Sequence, residues 1–185
     1  GLVFSKIRER FGGRLKYAFS GGAKLSKDVG EFIDLLGITV YEGYGLTETS
    51  PIATCNYPGM RKIGSVGTPI KGVHVEVDLS QTDPPESGEH VEGELVVYGH
   101  NIMQGYYNDP EKTKEAFDDE GFFITGDAMV FVDPENYNAG MRFDGRISED
   151  FKLLTGTWVR AATLRMALLA HFAPLAGDLI VTGQD

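Results

Sequence analysis

The first sixty residues show, in turn, the apolar spacing of helices and of strands. Apolar residues recur at helical spacing before two glycines end the run: Phe4, Ile7, Phe11, then Gly12-Gly13. The runs at 15–19 and 38–41 predict two strands. Between them, Ser26 is a favourable N-cap and Gly37 a C-cap for a helix. Its predicted buried stripe is Val29, Phe32, Ile33 and Leu36. This order predicts a parallel βαβ unit, and hence an α/β fold.

Beyond residue 60 the pattern changes to that of strands. The segments 74–78 and 93–99 alternate with the period of two and are separated by a polar loop rich in Pro and Gly. Asp109 as N-cap, with proline next, predicts a short helix through Phe117. Residues 121–133 predict two strands interrupted at Gly126-Asp127. We therefore expect 60–135 to form a β-rich, barrel-like subdomain.

The last fifty residues predict a linker followed by a new unit. The stretch 134–146 has the composition of a linker, and 150–154 predicts a strand or turn. A helix is predicted at 162–172 and a strand at 178–182. The chain accordingly divides into an α/β portion at 1–59, a β-rich subdomain at 60–143, and the start of a small α+β domain at 144–185.

Composition narrows the possible partners and compartments. With 27 acidic against 17 basic residues the net charge is −10, which argues against binding to a nucleic-acid backbone. A nucleotide is not excluded, because a few local charges can hold one. The single cysteine, Cys55, predicts a reducing compartment, and we expect a cytoplasmic location. No apolar run is long enough to cross a bilayer, and the absent initiator methionine suggests a piece of a longer protein.

Two glycine-rich loops follow the predicted parallel strands. SGGA (20–23) follows the first strand and EGYGLTETS (42–50) the second. In open α/β sheets, ligands bind at the carboxyl ends of the strands. We therefore predict that the two loops face one another there. Tyr44 offers a ring to a flat ligand, Thr47 a hydroxyl to a phosphate, and Glu48 an oxygen to Mg²⁺. Taken singly, each is better explained by a turn with a packed tyrosine and a solvated glutamate.

Taken together, the motifs resemble those of adenylate-forming enzymes: acyl-CoA synthetases, luciferases and the adenylation domains of peptide synthetases. YGLTE (44–48) resembles the Tyr-Gly-x-Thr-Glu signature of this superfamily. SGGAKL before it, and GELVVYG, GYYNDPEKT, GFFITGD and FDGRISEDFKLLTGTWV after it, follow in the family's order. The last of these is most similar to feruloyl-CoA synthases, whereas GHNIMQGYYNDP resembles fatty-acyl-CoA synthetases. The resemblance covers nearly the whole chain.

The resemblance implies a role for each matching residue. Gly21, Gly22 and Ala23 would line the adenine and acyl pocket, and Tyr44 would stack on adenine. Thr47 would contact the α-phosphate, Glu48 would hold Mg²⁺, and Gly45 and Leu46 would border the acyl group. Asp127 and Arg146 would bind the ribose, and Lys152 would enter the site when the small domain rotates. Ser148 and Glu149 stand where the hinge is expected, although the family usually has Asp or Lys at the first of these positions. Glu94 and Tyr106 are interpreted as structural.

The implied activity is ATP-dependent ligation of a carboxylic acid, a feruloyl-like aryl acid or a fatty acid, to coenzyme A. ATP, Mg²⁺ and coenzyme A are thus the expected small molecules. The family's upstream phosphate loop and its C-terminal lysine are missing, so the chain resembles the later part of the large domain and the start of the mobile one. Alone it is expected to be inactive. The alternatives are a luciferase-like or peptide-synthetase adenylation domain, and a non-catalytic nucleotide-binding module. The acid, the acceptor and the oligomeric state stay open.

Overall fold

A computed structural model describes residues 2–80, 92–153, 155 and 157–183. Its first part contains helix α1 (Leu2–Arg10), strand β1 (Tyr17–Ser20), helix α2 (Lys27–Leu35) and strand β2 (Thr39–Tyr44). The strands β1 and β2 pair in parallel, with Tyr17 opposite Thr39 and Ser20 opposite Glu42. The predicted βαβ unit is therefore confirmed, although β2 extends three residues further than expected and ends on Tyr44.

Helix α2 packs on the sheet through a narrower face than its apolar stripe predicts. Gly30 and Leu36 are buried, whereas Val29 and Phe32 are 46% and 48% exposed. A side chain at position 30 would collide with Ile63, since a Cβ there would lie 2.9 Å from the Ile63 Cγ2 atom. The helix thus approaches its neighbour at a glycine. An amphipathic pattern shows which face is apolar, but it does not show whether the covering residues belong to this chain.

Two short strands extend the first sheet and lead to a second one. Strands β3 (Thr54–Cys55) and β4 (Thr68–Pro69) complete a four-stranded sheet in the order β1-β2-β3-β4. The second sheet is antiparallel, in the order β5 (Val73–Asp78), β6 (Glu92–Gly99), β7 (Phe123–Phe131) and β8 (Met141–Arg146). Within the described residues this sheet is open, so the expectation of a barrel-like subdomain is wrong.

Two further predictions in this region are wrong for identifiable reasons. Residues 123–131 form one continuous strand, because Gly126 adopts a φ of 72° and a register shift absorbs the irregularity. The stretch 134–146 is not a linker throughout, since its second half is β8. The Asn- and Gly-rich residues before Met141 hide the strand signal, yet the Met141 side chain is fully buried.

The remaining elements are short. Helix α3 (Pro110–Glu115) begins as predicted, with the Asp109 carboxylate accepting the Lys112 N–H at 3.0 Å, and it ends two residues before Phe117. Strand β9 (Phe151–Lys152) pairs with β10 (Trp158–Val159), and helix α4 (Ala161–Phe172) follows as predicted. Residues 178–182 are irregular, so the strand predicted there is wrong. No described helix is long and apolar enough to cross a membrane.

One hydrophobic core joins the two sheets. Its buried members come from the first sheet and its loop, and from all four strands of the second: Tyr44, Ala53, Val73, Leu95, Val97, Met129 and Met141. Tyr44 therefore ends β2 at the junction between the sheets. From that place Tyr44 can contact β7 and β8 directly, so the candidate site lies at this junction.

Candidate functional site

A cleft of about 150 Å³ opens where the loops after β1 and β2 meet the second sheet. Gly22 and Ala23 line it from the first loop, and Gly43 to Leu46 from the end of β2 and the loop that follows. The two loops approach closely, because a Cβ on Gly21 would lie only 3.4 Å from the Gly43 carbonyl oxygen. The prediction that they face one another at the carboxyl ends of parallel strands is confirmed.

The opposite wall of the cleft comes from β7 and β8. Asp127, Phe143 and Arg146 face the two loops. The Tyr44 hydroxyl donates a hydrogen bond of 2.6 Å to Asp127 Oδ2, and the Tyr44 ring stacks against Phe143 with centroids 6.1 Å apart. The prediction that Tyr44 and Asp127 share one cleft is therefore confirmed. Whether Tyr44 also stacks on adenine stays a prediction.

Asp127 is a buried carboxylate with spare hydrogen-bonding capacity. It is 2% exposed, and its Oδ1 atom has no hydrogen-bond partner among the described residues. The Arg146 Nε atom lies 3.5 Å from Oδ1, so it contributes charge without a hydrogen bond. Burial raises the pKa of Asp127, while the Tyr44 hydrogen bond and Arg146 oppose the rise. The Oδ1 atom is thus a buried acceptor that lacks a donor within the described part of the chain.

Tyr44 is the matching donor. Burial, and then the adjacent Asp127 carboxylate, raise the pKa of the Tyr44 phenol well above its ordinary value. The hydroxyl therefore keeps its proton at physiological pH and donates to Asp127 throughout. Sequence reasoning found both residues but missed this bond, which joins positions 83 residues apart.

The loop after Tyr44 turns sharply at Gly45. A Cβ there would lie 2.0 Å from the Pro51 carbonyl oxygen and 2.7 Å from the Ile52 Cα atom. Thr49 then closes a short 3₁₀ turn at 47–49, because its hydroxyl accepts the Leu46 N–H at 2.8 Å and donates back to the Leu46 carbonyl at 3.0 Å. Sequence reasoning missed Thr49. Gly45 is required by the backbone, and it also lines the cleft together with Leu46.

Thr47 and Glu48 lie one turn beyond the cleft lining. Thr47 is exposed, whereas Glu48 is half-buried and its Oε1 atom accepts a hydrogen bond of 3.1 Å from the Tyr106 hydroxyl. Lys112 lies over the Tyr106 ring at 4.3 Å. Tyr106 therefore holds the Glu48 carboxylate in place. The part of the chain that the structure describes contains no group of three or more His, Cys, Asp or Glu side chains arranged around a metal.

Glu42 is a buried acid that sequence reasoning did not single out. It lines the cleft, it is 9% exposed, and its Oε2 atom accepts the Gly64 N–H at 3.3 Å. Burial raises its pKa, and the neighbouring cations Arg61 and Lys24 act in the opposite direction. A period-two pattern did mark position 42 as facing the same side as Tyr44, which is the one sequence signal that could have found it.

The predicted hinge lies just after β8. Ser148 and Glu149 are exposed and form a 3₁₀ turn with Ile147, while Arg146 at the end of β8 faces the cleft. Lys152 lies in β9, and for this residue the structure describes the backbone alone. Arg146 is thus placed near Asp127 as predicted, whereas the role of Lys152 stays a prediction.

The sequence profile of the AMP-binding enzymes matches residues 4–107, which is more than half of the chain. The chain belongs to the AMP-binding enzyme family. This agrees with the resemblance to adenylate-forming enzymes. Of the signature at 44–48, the structure places Tyr44, Gly45 and Leu46 in the cleft, and Thr47 and Glu48 just beyond it.

Individual relatives support the same assignment. The chain is 34% identical over 191 residues to fatty acyl-CoA synthetase A from Dictyostelium discoideum, covering 100% of this chain and 27% of that protein. It is 36% identical over 183 residues to the long-chain-fatty-acid–CoA ligase FadD15 of Mycobacterium bovis, covering 99% and 27%. The predicted likeness to fatty-acyl-CoA synthetases is therefore confirmed, whereas a specific likeness to feruloyl-CoA synthase stays a prediction. The chain spans about a quarter of the length of these relatives.

A solved structure has the same fold. The A-PCP didomain of carboxylic acid reductase from Segniliparus rugosus, in complex with AMP, superposes with a TM-score of 0.77 at 28% identity. The match covers 99% of this chain and 24% of that one. The α/β architecture of the chain is thus that of part of an adenylating enzyme.

Proposed function

We propose that the chain is the adenosine-binding part of an ATP-dependent carboxylic acid:CoA ligase that acts on a fatty or aryl acid. The observation that carries the proposal is the cleft itself. Residues from three separated motifs, Tyr44, Asp127 and Arg146, converge there, and a buried carboxylate oxygen is left without a hydrogen-bond donor among the described residues. Family membership and the names of the relatives supply the reaction class.

In this proposal, Asp127 accepts the ribose hydroxyls. Its Oδ1 atom takes one of them, and Oδ2 is shared between the other and the Tyr44 hydroxyl. Arg146 favours the ionised form of the carboxylate, because its charge opposes the rise in the pKa of Asp127 that burial causes. Gly21, Gly22 and Ala23 admit the base and the acyl group, since a loop without large side chains allows close approach. Gly45 and Leu46 border the acyl group.

Thr47 and Glu48 serve the phosphates. The Thr47 hydroxyl is exposed and would donate to the α-phosphate, while Glu48 would hold Mg²⁺. One carboxylate fits this ion, which prefers a few carboxylates together with phosphate oxygens, and Tyr106 already orients the Glu48 side chain through Oε1. When bound, Mg²⁺ would supply charge neutralisation at the phosphates.

The two steps are then a nucleotidyl transfer at phosphorus and an acyl transfer at carbon. A carboxylate oxygen of the acid attacks the α-phosphorus of ATP, the bond to the β-phosphate oxygen breaks, and pyrophosphate leaves. The sulfur of coenzyme A next attacks the acyl carbon, its proton is lost, and AMP leaves with the bonding electron pair. Lys152 approaches the site for the second step, when the chain rotates about Ser148 and Glu149. Such a hinge requires a few residues at element ends, which is where these two lie.

A carrier-protein thiol is the alternative acceptor. The structural neighbour in complex with AMP contains an A-PCP didomain, so adenylation domains of this fold also occur beside a carrier protein. The residues of the adenosine cleft would serve either acceptor.

The proposal is tested by AMP binding to the chain, measured by isothermal titration calorimetry. Asp127→Asn retains the shape of the side chain and removes its charge. We expect it to weaken AMP binding about tenfold or more, because a hydrogen bond to a charged group contributes about 1.5–3 kcal/mol. The matched control is Asp119→Asn, at an exposed position. Equal AMP affinity in a folded Asp127→Asn variant would contradict the proposal.

A further inference from the structure

Glu94 reaches from β6 to the strand that carries Asp127. Its Oε1 atom accepts the backbone N–H of Gly126 at 3.0 Å. Gly126 immediately precedes Asp127 and adopts a φ of 72°, a conformation in which its N–H is turned out of the regular ladder. A side-chain acceptor therefore replaces the missing backbone acceptor at the residue before the cleft carboxylate.

The pairing of β6 and β7 shows why such an acceptor is needed. Glu94 lies opposite Ala128 and Val96 opposite Ile124, so residues 125–127 of β7 stand opposite Leu95 alone. Bulges of this kind re-aim side chains and disrupt the backbone ladder, and here the bulge ends on Asp127, which lines the cleft. Such a disruption leaves backbone donors that need other acceptors. Glu94 satisfies one of them.

Thr125 satisfies the other. Its hydroxyl donates to the Leu95 carbonyl at 2.7 Å and accepts the Asp127 N–H at 3.2 Å. The bulge is thus fixed at both ends by side chains from the two strands, and Gly126 lies between them. A Cβ on Gly126 would meet nothing within 4 Å, so the glycine serves the backbone conformation and not the packing.

We propose that Glu94 is a positioning residue for the cleft, holding the β7 bulge in the one conformation that presents Asp127 to Tyr44 and to a ribose. Its contact is with the Gly126 N–H, and Asp127 is the residue that it positions. The expected effect of Glu94 on ligand binding rests on the function proposed above, whereas its expected effect on the position of Asp127 does not.

The surroundings of Glu94 distinguish this role from simple packing. Burial raises the pKa of Glu94, the Gly126 N–H lowers it, and the acids Asp78 and Asp127 raise it further. A second carboxylate near Asp127 is electrostatically unfavourable, so packing alone would favour an apolar residue here. The hydrogen bond to Gly126 is the interaction that needs an acceptor of this length.

The experiment compares Glu94→Ala, which removes the acceptor, with Glu94→Gln, which retains it. The matched control is Glu76→Gln, at an exposed position on the neighbouring strand β5. Two signals are measured by NMR on the chain without ligand: hydrogen exchange of the Gly126 amide, and the hydroxyl proton that Tyr44 donates to Asp127. We expect Glu94→Ala to speed Gly126 exchange about tenfold or more and to broaden or lose the Tyr44 signal. Glu94→Gln and Glu76→Gln should preserve both.

Ligand selectivity supplies a readout that a merely structural role would not change. AMP and 2′,3′-dideoxy-AMP are titrated into each variant. A positioning role predicts that Glu94→Ala loses most of the preference for AMP, while Glu94→Gln keeps it. If Glu94→Ala does not fold, Glu94→Asp replaces it, because aspartate keeps the charge and shortens the reach.

The outcomes separate the two proposals. An unchanged Tyr44 hydroxyl signal in a folded Glu94→Ala variant would overturn the positioning role, whatever the chain binds. Loss of that signal in Glu94→Ala, with its return in Glu94→Gln, supports the positioning role. If the wild-type chain does not distinguish AMP from its dideoxy analogue, that result counts against the proposed function and leaves the positioning role standing.

Discussion

Tyr44→Phe removes a single hydroxyl from the centre of the cleft. That hydroxyl donates at 2.6 Å to Asp127, whose side chain is almost wholly buried. The ring and its stacking against Phe143 remain. The variant therefore removes the hydroxyl donor to a buried carboxylate, and Arg146 is left as the opposing charge at 3.5 Å.

The expected loss follows from the charge of the acceptor. A hydrogen bond to an ionised group contributes about 1.5–3 kcal/mol, and one to a neutral group about 1 kcal/mol. We expect Tyr44→Phe to lower the free energy of unfolding by about 2 kcal/mol when Asp127 is ionised and by about 1 kcal/mol when it is protonated, so the loss should be larger at neutral pH than in acid.

The sign of this pH dependence comes from the pKa of Asp127. Burial raises the pKa above its ordinary value, so the folded state keeps the proton to higher pH than the unfolded state does. The contribution of Asp127 to the free energy of unfolding is therefore greatest below the ordinary pKa of an aspartate, and it is lost as the pH rises through the pKa of Asp127 in the folded state. The Tyr44 hydrogen bond opposes the rise, so removing it moves the folded pKa further up and enlarges the loss.

The assay is urea unfolding followed by circular dichroism, with the wild-type chain and the variant compared at about pH 4 and about pH 7. Comparing variant with wild type at each pH cancels the titration of the other carboxylates. Tyr107→Phe is the control, since Tyr107 is 93% exposed. The reasoning is refuted if Tyr44→Phe is as stable as the wild type at neutral pH, or if its loss is larger in acid.

Two further predictions use the same unfolding assay. Burial, followed by the acids Asp144 and Asp150, raises the pKa of Glu92 to about 7 against the opposing charge of Arg160. The free energy of unfolding should therefore fall by about 2 kcal/mol between about pH 5 and about pH 8. Glu92→Gln should flatten this pH dependence, and an unchanged slope would exclude Glu92 as its source. Gly45→Ala should destabilise the chain by about 3 kcal/mol or more, because the new Cβ would lie 2.0 Å from the Pro51 carbonyl oxygen. The control is Gly177→Ala, whose Cβ would meet no atom within 4 Å. Equal stability of the two variants would contradict the predicted clash.

The parts of the site that follow directly from a local strand were predictable from the sequence. Parallel strands must end at the same edge of a sheet, so the loops at 20–23 and 42–50 could be placed opposite one another from periodicity alone. The resemblance then placed Asp127 and Arg146 in the same cleft as Tyr44. These inferences needed only short-range patterns and the order of motifs.

The parts that depend on long-range register were not predictable. The β7 bulge looked like a break between two strands, because Gly126 interrupts the apolar alternation and its compensating partner, Glu94, lies 32 residues away. Strand β8 looked like a linker because its pairing with β7 supplies stability that its own composition does not. The hydrogen bond from Tyr44 to Asp127 has the same origin, since it depends on how the two sheets share one core.

The net charge of −10 poses a problem for a chain that we propose to bind an anionic nucleotide. The cleft offers a physical solution. Its buried carboxylate, Asp127, faces the position proposed for the ribose, which is neutral and donates hydrogen bonds, and the adjacent cation Arg146 offsets its charge. The phosphates would lie toward Thr47 and Glu48, one turn beyond the cleft lining, where Mg²⁺ would compensate both the carboxylate and the phosphate oxygens. In this proposed arrangement, Asp127 faces hydrogen-bond donors of the nucleotide and Glu48 faces a bound cation, so the overall negative charge of the chain need not oppose binding.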